Sequence, residues 1–265
     1  MRLEELKNYP WPDPDDEGIY KDLQSQAQYL YENTDLCLIG RFGGSIFETA
    51  WYMRGFDQFL IDLLINKDFA KFLMQKIASY TMEIEKNCLE RAGEYIQILK
   101  LAGDDLGGQE DLLISPEIFK NMIKPILCKR WKTSKEKFRS YTPNGYTMFH
   151  TCGNVYPLIS DFIECGLDIL DPVQPARGME IDKLKTEFGD NLTFHGAIDT
   201  QKLLPYGKPN EVKNEAKRIM KILGEKGGYI VAPVHNIQED VPIKNIIALS
   251  EAVKEFRIFP DKPYK

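Results

Sequence analysis

From residue 35 onward, short apolar runs bounded by turn residues alternate with longer stretches whose apolar positions recur every three or four residues. The short runs, at residues 35–40, 95–101, 147–153, 167–170, 192–194 and 228–236, read as buried strands. The longer stretches predict helices over residues 20–33, 56–64, 69–92, 157–165, 180–188, 210–223 and 242–256, with Asp68 as a candidate N-cap and Gly93, Gly166 and Gly189 as stops. Ser115-Pro116-Glu117 supplies an N-cap, a proline at the first helical position and a first-turn acid, opening a helix that continues to Arg139. The basic run within it, from Lys129, reads as a solvated face. Before the pattern begins, Pro10, Pro12 and Pro14 remove backbone donors and restrict their neighbours, so residues 1–17 are expected to form an extended arm.

Strands that alternate with helices, none joined by a hairpin turn, imply right-handed crossovers and a parallel sheet. Acids, a cysteine and histidines lie where these strands end, which is where a (β/α)8 barrel builds its site. An open doubly wound sheet usually gathers ligands through a phosphate loop, which this chain lacks. The expected fold is therefore α/β, a single TIM-barrel domain over residues 1–265, with about six of the eight strands present. The first and last strands would each expose an unpaired edge, covered by self-association or by a missing segment rather than by the proline-containing arm.

Composition narrows the partners. At 265 residues and 43% hydrophobic content the chain can bury one substantial core. Lys and Arg total 34 against 40 Asp and Glu, a net charge of -6 without a basic stretch, so nucleic acid is not an expected partner. No apolar run is long enough to span a bilayer, and a cytoplasmic location is expected. The five cysteines are scattered and odd in number, which fits a reducing compartment better than a disulfide framework.

The candidate chemistry centres on His150-Thr151-Cys152-Gly153. Residues two apart in a strand share a face, so His150 and Cys152 present a nitrogen and a sulfur to one point. The alternative is two ordinary buried residues. The other two histidines, His195 and His235, are also placed at strand ends. Asp104 and Asp105 stand in a glycine-rich loop that includes Gln109, where acids either act on a ligand or bond the loop backbone.

Four motifs in order, Gly103-Asp104-Asp105-Leu106-Gly107-Gly108-Gln109, His150-Thr151-Cys152-Gly153-Asn154, His195-Gly196-Ala197-Ile198-Asp199 and the run from Gly227 to Ile237, resemble the uroporphyrinogen decarboxylase superfamily. The resemblance implies a (β/α)8 fold and one of two activities: decarboxylation of uroporphyrinogen in porphyrin biosynthesis, or zinc-dependent methyl transfer between a corrinoid and an acceptor such as a thiol. In the methyltransferase branch a His-x-Cys pair and a later cysteine hold the zinc. Here the pair is His150 and Cys152, and His235 stands at the later position, which keeps the set within zinc chemistry. Their ligating atoms are then expected within about 4 Å of one another. Asp104, Asp105 and His195 become the catalytic candidates, and Gln109, Asn154 and Asn236 the cofactor-contacting ones. A small-molecule substrate, a corrinoid protein and a second copy of the chain are the expected partners.

The decarboxylase branch relies on an arginine-rich first strand and an aspartate on the second, neither of which is found. Arg41, Arg54 and Arg177, the arginines expected near the mouth, are too few for an octacarboxylate. Methyl transfer is the first reading, uroporphyrinogen decarboxylation the second, and a non-catalytic barrel fragment or binding protein the third.

Overall fold

A computed structural model describes residues 2–256. Six parallel strands form one sheet in sequence order: β1 (Ile39–Arg41), β2 (Ile98–Gly103), β3 (Tyr146–His150), β4 (Ile169–Val173), β5 (Thr193–Ile198) and β6 (Tyr229–Pro233). Helices between consecutive strands make the sheet a partial (β/α)8 barrel, with β1 and β6 as open edges.

Alternation along the strands sorts the side chains into two populations. Leu99, Leu101, Phe149, Leu170 and Phe194 point outward and join the main core under the helices. Ile98, Met148, Ile169 and Ile230 point inward and pack on one another as an apolar floor. Two residues beyond the floor positions of β2, β3 and β4 come Lys100, His150 and Asp171, so the layer above is polar. Ile39 pairs with Ile98 in register but is 45% exposed, because among the described residues no strand pairs with β1 on its other side. The first strand is thus shorter and far less buried than its apolar run suggests.

Two irregularities aim the upper layer. The β2–β3 register shifts between Lys100 and Gly103, and the β4–β5 register shifts between Leu170 and Val173. Ala102 (φ 58°) sits at the first shift and Ala197 (φ 67°) one residue beyond the second, both in the left-handed region, which costs an alanine roughly 1–2 kcal/mol. Bulges of this kind turn side chains toward a site.

Several expectations need correction. The arm is not wholly extended: Leu3–Lys7 is helical, Leu6 is fully buried, and Asn87 on the helix Lys67–Ala92 donates to Pro14 O and Asp15 Oδ1. That long helix is capped at Asn66 rather than Asp68. A helix at Phe47–Arg54 was not anticipated, because its apolar residues form no clean stripe, although Ser45-Ile46-Phe47-Glu48 carries the Ser-x-x-Glu signature of a helix start. Cys128 and Cys165 are joined as a disulfide, contrary to the expectation of reduced cysteines, tying the helix Lys124–Arg139 to the end of Ile159–Glu164.

One buried ion pair braces the side of the barrel that carries β1. Arg130 and Glu85 are 0% and 1% exposed, and Ser134 adds a 2.7 Å hydrogen bond to Glu85. Arg130 also donates to Gly44 O at 2.9 Å, holding the loop after β1. Removing one partner leaves the other charge buried alone, so Arg130→Met should cost about 3–5 kcal/mol in chemical denaturation. Arg218→Met, whose side chain is 51% exposed beside Glu215, should cost less than about 0.5 kcal/mol. Equal midpoints for the two variants would refute the bracing role.

Candidate metal centre at the strand ends

The site grows from one carboxylate. Asp171 on β4 is 3% exposed and accepts three hydrogen bonds: from Lys100 Nζ (2.6 Å), His150 Nδ1 (3.0 Å) and His195 Nδ1 (2.7 Å). Burial by itself would raise its pKa, but these three donors hold the carboxyl well below the usual carboxylate range. An ionised Asp171 that accepts at both Nδ1 atoms leaves each imidazole with its Nε2 lone pair free. For His150 that nitrogen points to Cys152, whose Sγ is 3.4 Å away.

Asp105 completes a group. The loops after β2 and β3 press together: Gly103 cannot carry a Cβ, which would lie 2.7 Å from His150 Cβ. Gly153 adopts φ +83°, and a Cβ there would lie 2.4 Å from Gly107 O. Asn154 N donates to Gly108 O at 2.7 Å, and Cys152 N donates to Asp105 Oδ1 at 2.9 Å. The result is an oxygen of Asp105, a nitrogen of His150 and the sulfur of Cys152, all within 4.8 Å of one another. Burial, with Asp105 and Asp171 close by, pushes the Cys152 thiol up to about 12. The acids that oppose a thiolate also favour a cation, and carboxylate, imidazole and thiolate together are donors that zinc accepts.

The group opens on a cleft of about 630 Å³, lined also by Arg41, Glu48, Tyr52, Lys100 and His195. Glu48 accepts the Asp105 backbone N–H, and its carboxyl is pushed up by burial and by Asp105.

The other sequence candidates are distributed differently. His235 lies two residues beyond β6, is exposed and lines the cleft, but it stands outside the three-atom group, whose third atom comes from Asp105. His195 is the third residue of β5 rather than its end. Asp104 does not line the cleft; it is fully buried and accepts backbone N–H bonds from Ile46 (3.2 Å) and Glu48 (2.9 Å), with burial pushing its carboxyl up to about 7. Its role is to seat the helix Phe47–Arg54. Asn154 is a loop brace, donating to Glu110 O at 2.8 Å and accepting from Tyr156 N at 3.3 Å. Gln109 lines a separate groove with Arg177 and Arg218, whereas Asn236 does line the cleft. Arg54 is engaged by Asp62 at 2.6 Å.

Sequence reasoning placed Asp171 among the strand-end residues where a barrel builds its site but gave it no specific role, and it did not single out Lys100 or Glu48. A lysine inside the apolar run Ile98-Leu99-Lys100-Leu101 was the available signal, since a charge there needs a partner.

The sequence profile of the family described as Uroporphyrinogen decarboxylase (URO-D) matches residues 2–256. The chain belongs to that family. A methylcobamide:CoM methyltransferase, MtaA, of Methanosarcina barkeri strain Fusaro is 28% identical over 195 residues, which are 74% of this chain and 54% of that protein. A uroporphyrinogen decarboxylase of Coxiella burnetii strain RSA 331 is 32% identical over 239 residues, covering 85% of this chain and 60% of that protein. The chain thus spans little more than half the length of these relatives. A solved methyltransferase from Methanosarcina mazei shares the fold with a TM-score of 0.69 at 22% identity, over 90% of this chain and 64% of that one. No helix among the described residues is long and apolar enough to cross a membrane.

In this family member Asp171 should set the orientation of both histidines. Asp171→Asn, which replaces one acceptor oxygen by a donor, is expected to weaken zinc binding by roughly 10–100-fold in chelator competition while the protein still melts cooperatively. Unchanged zinc affinity would show that Asp171 does not orient His150.

Proposed function

We propose that the chain acts as a zinc-dependent methyltransferase that moves a methyl group between a corrinoid and a thiol or similar acceptor. The observation that carries this reading is the Asp105, His150 and Cys152 group, with His150 oriented by Asp171. A relative bearing the name methylcobamide:CoM methyltransferase supports it.

Asp105, His150 and Cys152 would hold the metal, and zinc, when bound, would supply a Lewis acid that favours the thiolate form of an acceptor. The chain's own side chains do the rest. Asp171 keeps a proton on His195 Nδ1, so His195 Nε2 can take the acceptor proton as its sulfur receives the methyl group. The Cys152 N–H to Asp105 Oδ1 bond holds Asp105 against Cys152, and the Glu48 carboxyl lies beside the Asp105 backbone. Tyr52, 75% exposed, stands at the cleft wall where a corrinoid protein would have to approach.

Decarboxylation of uroporphyrinogen is the second reading, favoured by the 32% identity to a decarboxylase. Against it stands the cleft, in which Arg41 is the only arginine among the described residues. Metal analysis separates the two. Protein purified without added metal should contain about one zinc per chain, lost in Cys152→Ser and His150→Ala. Cys88→Ser and His235→Ala should retain it, since neither residue belongs to the group. Metal-free wild type, or zinc that survives Cys152→Ser, would overturn the proposal.

A further inference from the structure

Apart from histidines, the acidic and basic side chains on the cleft wall are those of Arg41, Glu48, Lys100, Asp105 and Asp171. Lys100 is paired with Asp171, Asp105 accepts the Cys152 N–H, and Glu48 accepts the Asp105 N–H. Arg41 differs. Among the described residues its side chain makes no hydrogen bond or ion pair. It is the last residue of β1, and its register partner is Lys100, so it stands on the neighbouring strand at the same height as the Asp171 network. Its side chain shares the inner face with Ile39, two residues earlier, and both positions are exposed by the open edge.

We propose that Arg41 is an anion subsite of the cleft, binding the single acidic group of a small substrate whose reacting atom lies at Asp105, His150 and Cys152. A guanidinium matches a carboxylate, sulfonate or phosphate with two parallel hydrogen bonds. β1 and β3 are two strand spacings apart, about 10 Å, and the arginine spans part of that, so a linker of only a few bonds fits between the two ends. One free guanidinium suits one acidic group. Arg54 is held by Asp62, and Arg177 lies 3.6 Å from Glu110 beside a different groove, so no further arginine joins it for a many-armed acid. The identity of the reacting atom as sulfur rests on the methyl-transfer reading; the subsite itself does not.

The test loads the protein with Co(II) and follows the near-ultraviolet absorption of bound thiolate with three thiols that share a two-carbon spacer: 3-mercaptopropionate, 2-mercaptoethanol and cysteamine. Wild type should bind 3-mercaptopropionate at least about tenfold more tightly than 2-mercaptoethanol, with cysteamine weakest, the size of one charge-assisted hydrogen-bonded contact. Arg41→Met should bring the first two together without changing the affinity for 2-mercaptoethanol, and Arg41→Lys should restore part of the difference. Equal binding of the three thiols by wild type, or a preference that survives Arg41→Met, would show that Arg41 is a solvated charge on an edge strand. If the protein takes up no metal, the methyl-transfer reading falls and the subsite is decided separately. In that case propionate should protect Arg41 from phenylglyoxal in the metal-free protein, and absence of protection overturns the subsite.

Discussion

One buried carboxylate organises the open end of this barrel. Asp171 can remain ionised inside the protein only because Lys100, His150 and His195 each donate to it, and each of those donors comes from a different strand. An unpaired charge in that position would be expelled or neutralised. The requirement therefore works in both directions: the strands must be in register for the carboxylate to be satisfied, and the carboxylate then fixes the height and rotation of both imidazoles. The direction in which His150 faces Cys152 follows from this electrostatic necessity.

A second chain of contacts approaches the same point from the outer helices. Arg130, paired with Glu85, holds Gly44 O; the following residues offer the Ile46 and Glu48 N–H groups to Asp104; and Asp104 is covalently next to Asp105. Each link is buried or half-buried, so displacement at one end is not absorbed by solvent. Of the two acids read from the sequence as catalytic candidates, Asp104 is thus the one that holds the loop and Asp105 the one that faces the thiol. Adjacent residues on one loop have opposite fates, decided by which backbone donors are within reach.

Period and punctuation revealed most of the frame. The strand runs, the crossover pattern and the His-x-Cys pair were legible because alternation and glycine stops act locally. What escaped depended on contacts distant in sequence. Lys100 and Asp171 are separated by 71 positions, and only the closed register shows that they meet. His235 and Asp105 could not be ranked as partners of Cys152 because their placement depends on how two loops pack beyond the strand ends. The helix Phe47–Arg54 was obscure since it draws its N-terminal hydrogen bonds from Asp104, 56 residues away from Glu48. The Cys128–Cys165 bond, across 37 residues, was likewise invisible to spacing.

The two alanines in left-handed conformation restrict how this cleft can diversify. A β-branched side chain at residue 102 or 197 would meet its own backbone, so those positions exclude valine, isoleucine and threonine. With the floor fixed by packing and the Asp171 layer fixed by charge, evolvability is concentrated at the rims, on β1 and on the segment after β6, where Arg41 and residues 235–237 are exposed. New specificities on this scaffold would arise by exchanging those rim residues over an unchanging centre.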